Sequence, residues 1–153
     1  SRILSPRESV YRKFFYFSIQ ICKKCVIMKK KPKGIDIMLL TAKEKAFELR
    51  QNLKNGEGNT VLEGFKPIQG LPTHYRMYAE MVLNPGCSVG EHTHNGESEI
   101  YYVLEGSGEL NDNGVIRTIN KGDCAMCYDG EFHAVKNNTG SVLRILATIV
   151  TDK

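Results

Sequence analysis

At 153 residues, with 41% apolar and 25% charged side chains, the chain has the size and composition of one globular domain with a single core, which excludes a wholly disordered or fibrous protein. No apolar run reaches the roughly 18 residues that a membrane-spanning helix needs. The net charge of +4 hides an asymmetry: residues 1–34 hold ten Lys or Arg against one acid, Glu8, and the rest holds eleven bases against sixteen acids. The basic character therefore belongs to the tail, and the body is not expected to bind nucleic acid.

Residues 1–37 are expected to be a leader or extension, disordered or foreign to the native domain. Their apolar run, Phe14 to Cys22, follows Arg12-Lys13 as a signal-peptide core follows its basic region, but Lys23-Lys24 comes next with no small-residue cleavage site. The chain starts at Ser1, and both Met28 and Met38 precede plausible coding sequence. A basic arm for anionic lipid or RNA is the alternative, without a binding pattern to support it.

Residues 38–60 are expected to form a short N-terminal helical segment. Thr41 and Glu44 have capping-box spacing, and Ala42, Ala46, Phe47, Leu49 and Leu53 recur at helical intervals. Gly56 falls where a left-handed cap would close a helix over Thr41 to Asn55.

From Val61 onward short apolar or alternating runs are separated by Gly, Asn, Asp and Pro, which predicts an all-β sandwich or barrel over 61–153. The expected strands are Met77 to Leu83, Glu99 to Glu105, Gly108 to Leu110, Val115 to Ile119, Cys124 to Tyr128, His133 to Lys136 and Leu143 to Val150. Asn111-Asp112-Asn113-Gly114 reads as a tight hairpin turn, since Asn-Gly supplies the positive φ such turns require. Asn137 to Gly140 reads as another turn.

Five cysteines, an odd number without framework spacing, favour a reducing, cytoplasmic setting over a disulfide scaffold. Two Cys-x-x-Cys pairs raise the possibility of structural zinc. Cys124 and Cys127 lie on an expected strand, however, where residues three apart face opposite sides, and Cys22 and Cys25 lie in the tail. Small buried hydrophobes are the better reading.

The chemistry is concentrated in two stretches. In the first, Gly86 to Gly106, His92 and His94 are two apart and on a strand project from one face. Asn95-Gly96 permits a reversal that returns Glu99 across from them on the next strand. Two imidazoles and a carboxylate suit a six-coordinate first-row metal with positions open to water or substrate. In the second stretch, Gly122 to Asn137, His133 would be a fourth ligand brought alongside by barrel closure. A lone histidine on a strand is more often structural than ligating, but three of the chain's four histidines fall in these stretches. His74 stands apart in a loop. Glu91 and Glu97 are candidate outer acids or bases, although loop carboxylates are usually only solvated.

At these residues the chain resembles the cupin family. The first cupin motif, G-x5-H-x-H-x3,4-E-x6-G, is met by Gly86, His92, His94, Glu99 and Gly106. The second, G-x5-P-x-G-x2-H-x3-N, is met by Gly122, Gly130, His133 and Asn137, with Tyr128 in the proline position. Fifteen residues separate the motifs, as in small single-domain microbial cupins. The resemblance implies a single double-stranded β-helix, or jelly-roll barrel, holding one divalent transition metal on His92, His94, Glu99 and His133. Mn, Fe, Co, Ni, Cu and Zn all suit that donor set. It also implies a homodimer. Alternation from Glu99 turns Tyr101 and Val103 into the lumen and Ile100, Tyr102 and Leu104 outward, so Tyr101 is a candidate substrate contact as well as a core aromatic.

Two functional classes follow. One is a metal-dependent enzyme, of dioxygenase, isomerase or decarboxylase type, acting on a small polar or anionic molecule. The other is a non-catalytic binding or sensing module whose metal is structural or anchors the ligand. An enzyme should bring a second ionisable group, such as Glu91, Glu97 or His74, within reach of the open metal positions. The expected partner is a small molecule, with neither nucleic acid nor membrane.

Overall fold

Ten strands in two antiparallel sheets account for nearly all the regular structure in the computed structural model, which describes residues 39–65 and 71–152. In chain order they are β1 (Ala46–Gln51), β2 (Asn59–Phe65), β3 (Tyr75–Leu83), β4 (Ser88–Thr93), β5 (Glu97–Glu105), β6 (Ser107–Asp112), β7 (Val115–Asn120), β8 (Cys124–Cys127), β9 (Phe132–Lys136) and β10 (Leu143–Thr151). A six-stranded sheet runs β1-β2-β3-β10-β5-β8 and a four-stranded sheet runs β4-β9-β6-β7. This is the all-β jelly-roll that the sequence predicts. The expected leader lies outside the described residues.

Period-two alternation builds the core. On β10, Leu143, Ile145, Ala147 and Ile149 are buried and the residues between them are partly exposed. Leu143, Ile145 and Ala147 meet Met81, Leu83, Tyr101 and Val103 from their own sheet and Val89, Leu110, Ile119 and Val135 from the other. Each such side chain contributes about 1.5–3 kcal/mol by leaving water. The Asn113-Gly114 turn has φ of 49° and 88°, as the hairpin reading requires.

The expected helix over Thr41 to Asn55 does not form. Its capping box does: the Thr41 N–H donates to Glu44 Oε2 at 2.7 Å, but the turn ends after three residues of 3-10 helix, Ala42–Glu44. Lys45 then donates to Glu80 of β3 at 2.7 Å, and Ala46–Gln51 pairs with β2 from Ala46↔Gly64 to Gln51↔Asn59. Gly56 has φ of −74°; the left-handed residues are Asn52, Lys54 and Asn55. The free edge of β2 offers a full row of hydrogen-bond partners, and edge pairing overrides a helical pattern whose Phe47 and Leu49 fit period two equally well.

Asn137, the last residue of the second motif, is wholly buried. Its amide donates to the carbonyls of Leu83 and Ser141 at 2.8 and 2.7 Å, and its oxygen accepts from the Thr139 hydroxyl at 2.8 Å. It ties the β9–β10 turn to β3. Tyr128, in the proline position, is exposed and donates its N–H to Glu131 Oε2 at 2.8 Å, a bond proline lacks the hydrogen to make.

Candidate metal centre

His92 on β4 and His133 on β9 are direct cross-strand partners, next to a register shift between Val89 and His92. His94 lies one residue beyond β4 and is fixed by its main chain: its N–H donates to the Glu131 carbonyl at 3.1 Å, and its carbonyl accepts from the Gly130 N–H at 2.8 Å. Glu99 comes from the opposite sheet. The reversal at Asn95-Gly96 does not fold β5 back against β4, as the spacing suggests, because β5 pairs with β10 and β8. The chain instead crosses from one sheet to the other, and the four side chains meet across the lumen.

One donor atom from each of His92, His94, Glu99 and His133 lies within 4.8 Å of all the others. His133 Nε2 stands 3.2 Å from both His94 Nε2 and His92 Nε2. Glu99 Oε2 stands 2.9 Å from His133 Nε2, 3.2 Å from His94 Nε2 and 3.7 Å from His92 Nε2. Nitrogens bound to one first-row ion at about 2.0–2.1 Å are about 3 Å apart along the edges of its coordination shell, so the spacing fits a shared cation.

The hydrogen-bond balance points the same way. His92 Nδ1 lies 2.9 Å from the Gly90 carbonyl and His94 Nδ1 lies 3.1 Å from Glu97 Oε1. Both partners only accept, so in the neutral rings both Nδ1 atoms carry the hydrogen and both Nε2 atoms present bare lone pairs. Glu99 Oε2 is accordingly buried without a hydrogen-bond donor. Lone pairs converging on a buried carboxylate oxygen repel unless a positive charge sits among them, and the donor set fits a divalent transition metal. Interaction with Glu99 chiefly raises the pKa of His94, with burial opposing and Glu97 adding to the rise. Burial pushes the Glu99 carboxyl up, but His133, His92 and His94 together hold it far below the ordinary carboxylate range.

Tyr101 and Val103 face the lumen, as alternation predicts, at 3% and 1% exposure, while Tyr102 is exposed. The Tyr101 ring stacks on His133, with centroids 4.7 Å apart and planes at 20°. Burial, and then Glu99, raise its phenol well above the usual range. Cys127 is directly opposite Glu99 on β8, buried, its thiol pushed up to about 11 by burial and by Glu131, Glu99 and Asp112. Cys124 is exposed, so the two sulfurs part as strand spacing requires. A cavity of about 420 Å³ reaches His133 between β7 and β8, with Asp112, Arg117 and Asp123 among its lining.

Of the three candidate outer ionisable groups, none is free in the lumen. His74 is exposed in its loop. Glu91 is exposed and accepts from Asn111 at 3.1 Å. Glu97 lies behind His94, on the Nδ1 side. Arg76, which holds Glu97, and Gly90, whose carbonyl holds His92, escape sequence reasoning. The first is 21 residues from its partner and the second acts through its main chain.

Comparison with known proteins places the fold and the centre in context. The cupin domain family matches residues 79–149. An oxalate-binding protein from Thermotoga maritima is 35% identical over 113 residues, covering 74% of this chain and 93% of its own. The crystal structure of a predicted oxalate decarboxylase from Thermotoga maritima superposes with a TM-score of 0.69 at 35% identity, covering 74% of this chain and 99% of that one. A cupin 2 conserved barrel domain protein from Salinispora arenicola superposes with a TM-score of 0.53 at 26% identity, covering 76% and 89%.

Proposed function

This chain belongs to the cupin family, and from that premise we propose that it holds one divalent transition metal on His92, His94, Glu99 and His133 and through it binds a small carboxylate of the oxalate kind. The observation that carries the reading is the convergence of three imidazole nitrogens on the donorless Glu99 Oε2. The metal would supply a Lewis-acidic anchor for ligand oxygens at positions the protein leaves open. The chain's own residues order the site: Gly90 and Glu97 fix two rings, and Tyr101 packs against the third and is the candidate ligand contact. The relative named for oxalate binding supports the ligand class.

A binding role fits this geometry better than turnover. Away from the centre the lumen is aliphatic, with Leu83, Val103, Val135, Leu143 and Ile145 at 1% exposure or less, and the ionisable groups Asp112, Arg117 and Asp123 line the cavity that reaches His133. Glu91, Glu97 and His74 are all engaged or exposed elsewhere, which leaves no evident proton carrier for a decarboxylase, isomerase or oxygenase among them.

Elemental analysis of protein purified without added metal, followed by calorimetric titration with oxalate, tests the reading. One equivalent of metal per chain, and oxalate binding only by the loaded protein, is the expected outcome. His92→Ala and His133→Ala should each lose both. Metal-free oxalate binding of equal strength would overturn it, and consumption of oxalate on incubation would restore the enzymatic alternative.

The same reading includes a homodimer in the reducing cytoplasm. Phe47, Leu49, Tyr78, Tyr102 and Met126 are exposed on the outer face of the six-stranded sheet around the Glu80 ion pairs, a mixed apolar and charged face suited to a second copy. Sedimentation at micromolar concentration should find a dimer that Tyr102→Lys shifts towards monomer.

A further inference from the structure

The three imidazoles of the centre are not held alike. His92 donates from Nδ1 to a main-chain carbonyl, that of Gly90, whereas His94 faces the Glu97 carboxylate at 3.1 Å. Glu97 is itself held from outside. Arg76, at the start of β3, meets it with two prongs, Nε on Oε2 and Nη2 on Oε1. The line thus runs from a half-exposed guanidinium, through a carboxylate whose side chain is 15% exposed, to an imidazole at 2%. Glu97 opens β5 and Glu99 follows two residues later on the same inward face, so one strand delivers carboxylates to both nitrogens of the same ring.

We infer that Glu97, fixed by Arg76, is a positioning residue for the metal centre: it holds His94 in the tautomer and orientation that present Nε2 to the ion. The inference rests on the metal reading above. A carboxylate accepts and never donates, so Nδ1 must carry the hydrogen and Nε2 must remain a lone pair. A charged acceptor also makes the ring a better donor than a main-chain carbonyl does, and such outer partners are worth about 10–100-fold in metal affinity. Arg76 has a separate task. Glu97 stands near the barrel rim, where an unheld side chain would turn to water; the two-pronged contact fixes both oxygens, and the guanidinium offsets a second negative charge beside Glu99. The opposing possibility is a structural ion pair, in which Glu97 serves only to keep a protonated His94 in the metal-free barrel. That role makes Glu97 a competitor of the metal, and its removal would tighten metal binding.

The test is Co²⁺ titration of the full chain followed by visible absorption, with thermal unfolding of the metal-free protein in parallel. Glu97→Ala should weaken Co²⁺ binding by about 10–100-fold and alter the d–d bands, which a merely structural loss would not do. Glu97→Gln keeps an acceptor oxygen and should recover part of the affinity. Arg76→Gln should give a smaller loss that vanishes when Glu97 is already Ala, the mark of a residue acting only through its partner. If Glu97→Ala does not fold, Glu97→Gln and Arg76→Gln carry the test. Wild-type affinity and spectrum in Glu97→Ala, or tighter binding, would overturn the inference and leave the metal reading intact. A wild-type chain that takes up no Co²⁺ would overturn both.

Discussion

At one end of the lumen Leu83 and Leu143 are wholly buried; six residues along β10, about 20 Å away, the inward positions near Ile149 belong to His92, His94, Glu99 and His133. The same alternation supplies both ends. An aliphatic side chain gains simply by leaving water, whereas a carboxylate loses unless something replaces its hydration. Each end also hides one oxygen without a hydrogen-bond partner, Thr60 Oγ1 opposite Leu83 and Glu99 Oε2 among the imidazoles. The first is an isolated hydroxyl, tolerated because it is neutral. The second belongs to a carboxylate that stands among three imidazole nitrogens, a donor set that fits a metal cation. The comparison teaches that one alternation places aliphatic packing and the polar cluster at different levels of the same barrel.

Substitutions can break that separation or make it sharper. The largest effect is expected at the aliphatic end, where Leu143→Ala should cost about 2–5 kcal/mol in denaturant unfolding and leave metal stoichiometry unchanged; loss of metal from the folded variant would show that the ends are coupled. Gly90→Ala should disturb both properties. A methyl group there would lie 2.0 Å from the Lys54 carbonyl, and the Gly90 carbonyl is what orients His92. A cost of about 1–3 kcal/mol together with weaker metal uptake, by calorimetry, is expected.

Glu80 offers a carboxylate that needs no imported cation. The Lys45 hydrogen bond chiefly lowers its pKa from 4.5, burial opposes, and Arg144 at 2.9 Å lowers it further. A depressed folded value means that its contribution is complete above the unfolded range and disappears as pH falls through the lower folded value. Glu80→Gln should therefore be less stable than wild type by about 1 kcal/mol at pH 7, with the gap closing below about pH 4. A gap that widened in acid would refute this assignment. Smallest of all, Thr60→Val should be neutral or stabilising by up to about 1 kcal/mol, since the hydroxyl has no partner to lose. A clear loss of stability would reveal a bond to that oxygen.

Seven strands from β3 and β5 to β10 are legible in the sequence because alternation and turn residues are local signals, and the four converging side chains are legible because their spacing concentrates three of four histidines. The motif glycines make physical sense in the fold. Gly106 has φ of 79° and approaches the Val142 carbonyl so closely that a Cβ would lie 2.3 Å from it. What escaped is what depends on distant partners. Ala46–Gln51 reads as helix until β2 is there to pair with it, and Glu97 reads as a solvated loop acid until Arg76 arrives from β3.

The sequence by itself determined an all-β barrel and the chemical identity of the four converging groups, since period-two alternation and ligand spacing are written within a few residues. Only the tertiary structure decided that Glu99 reaches the histidines across the lumen from the other sheet, that its oxygen is left without a donor, and that His94 is braced by Glu97 and Arg76. Hydrogen bonds and ion pairs act over about 3 Å, and residues far apart along the chain come that close only when the sheets close.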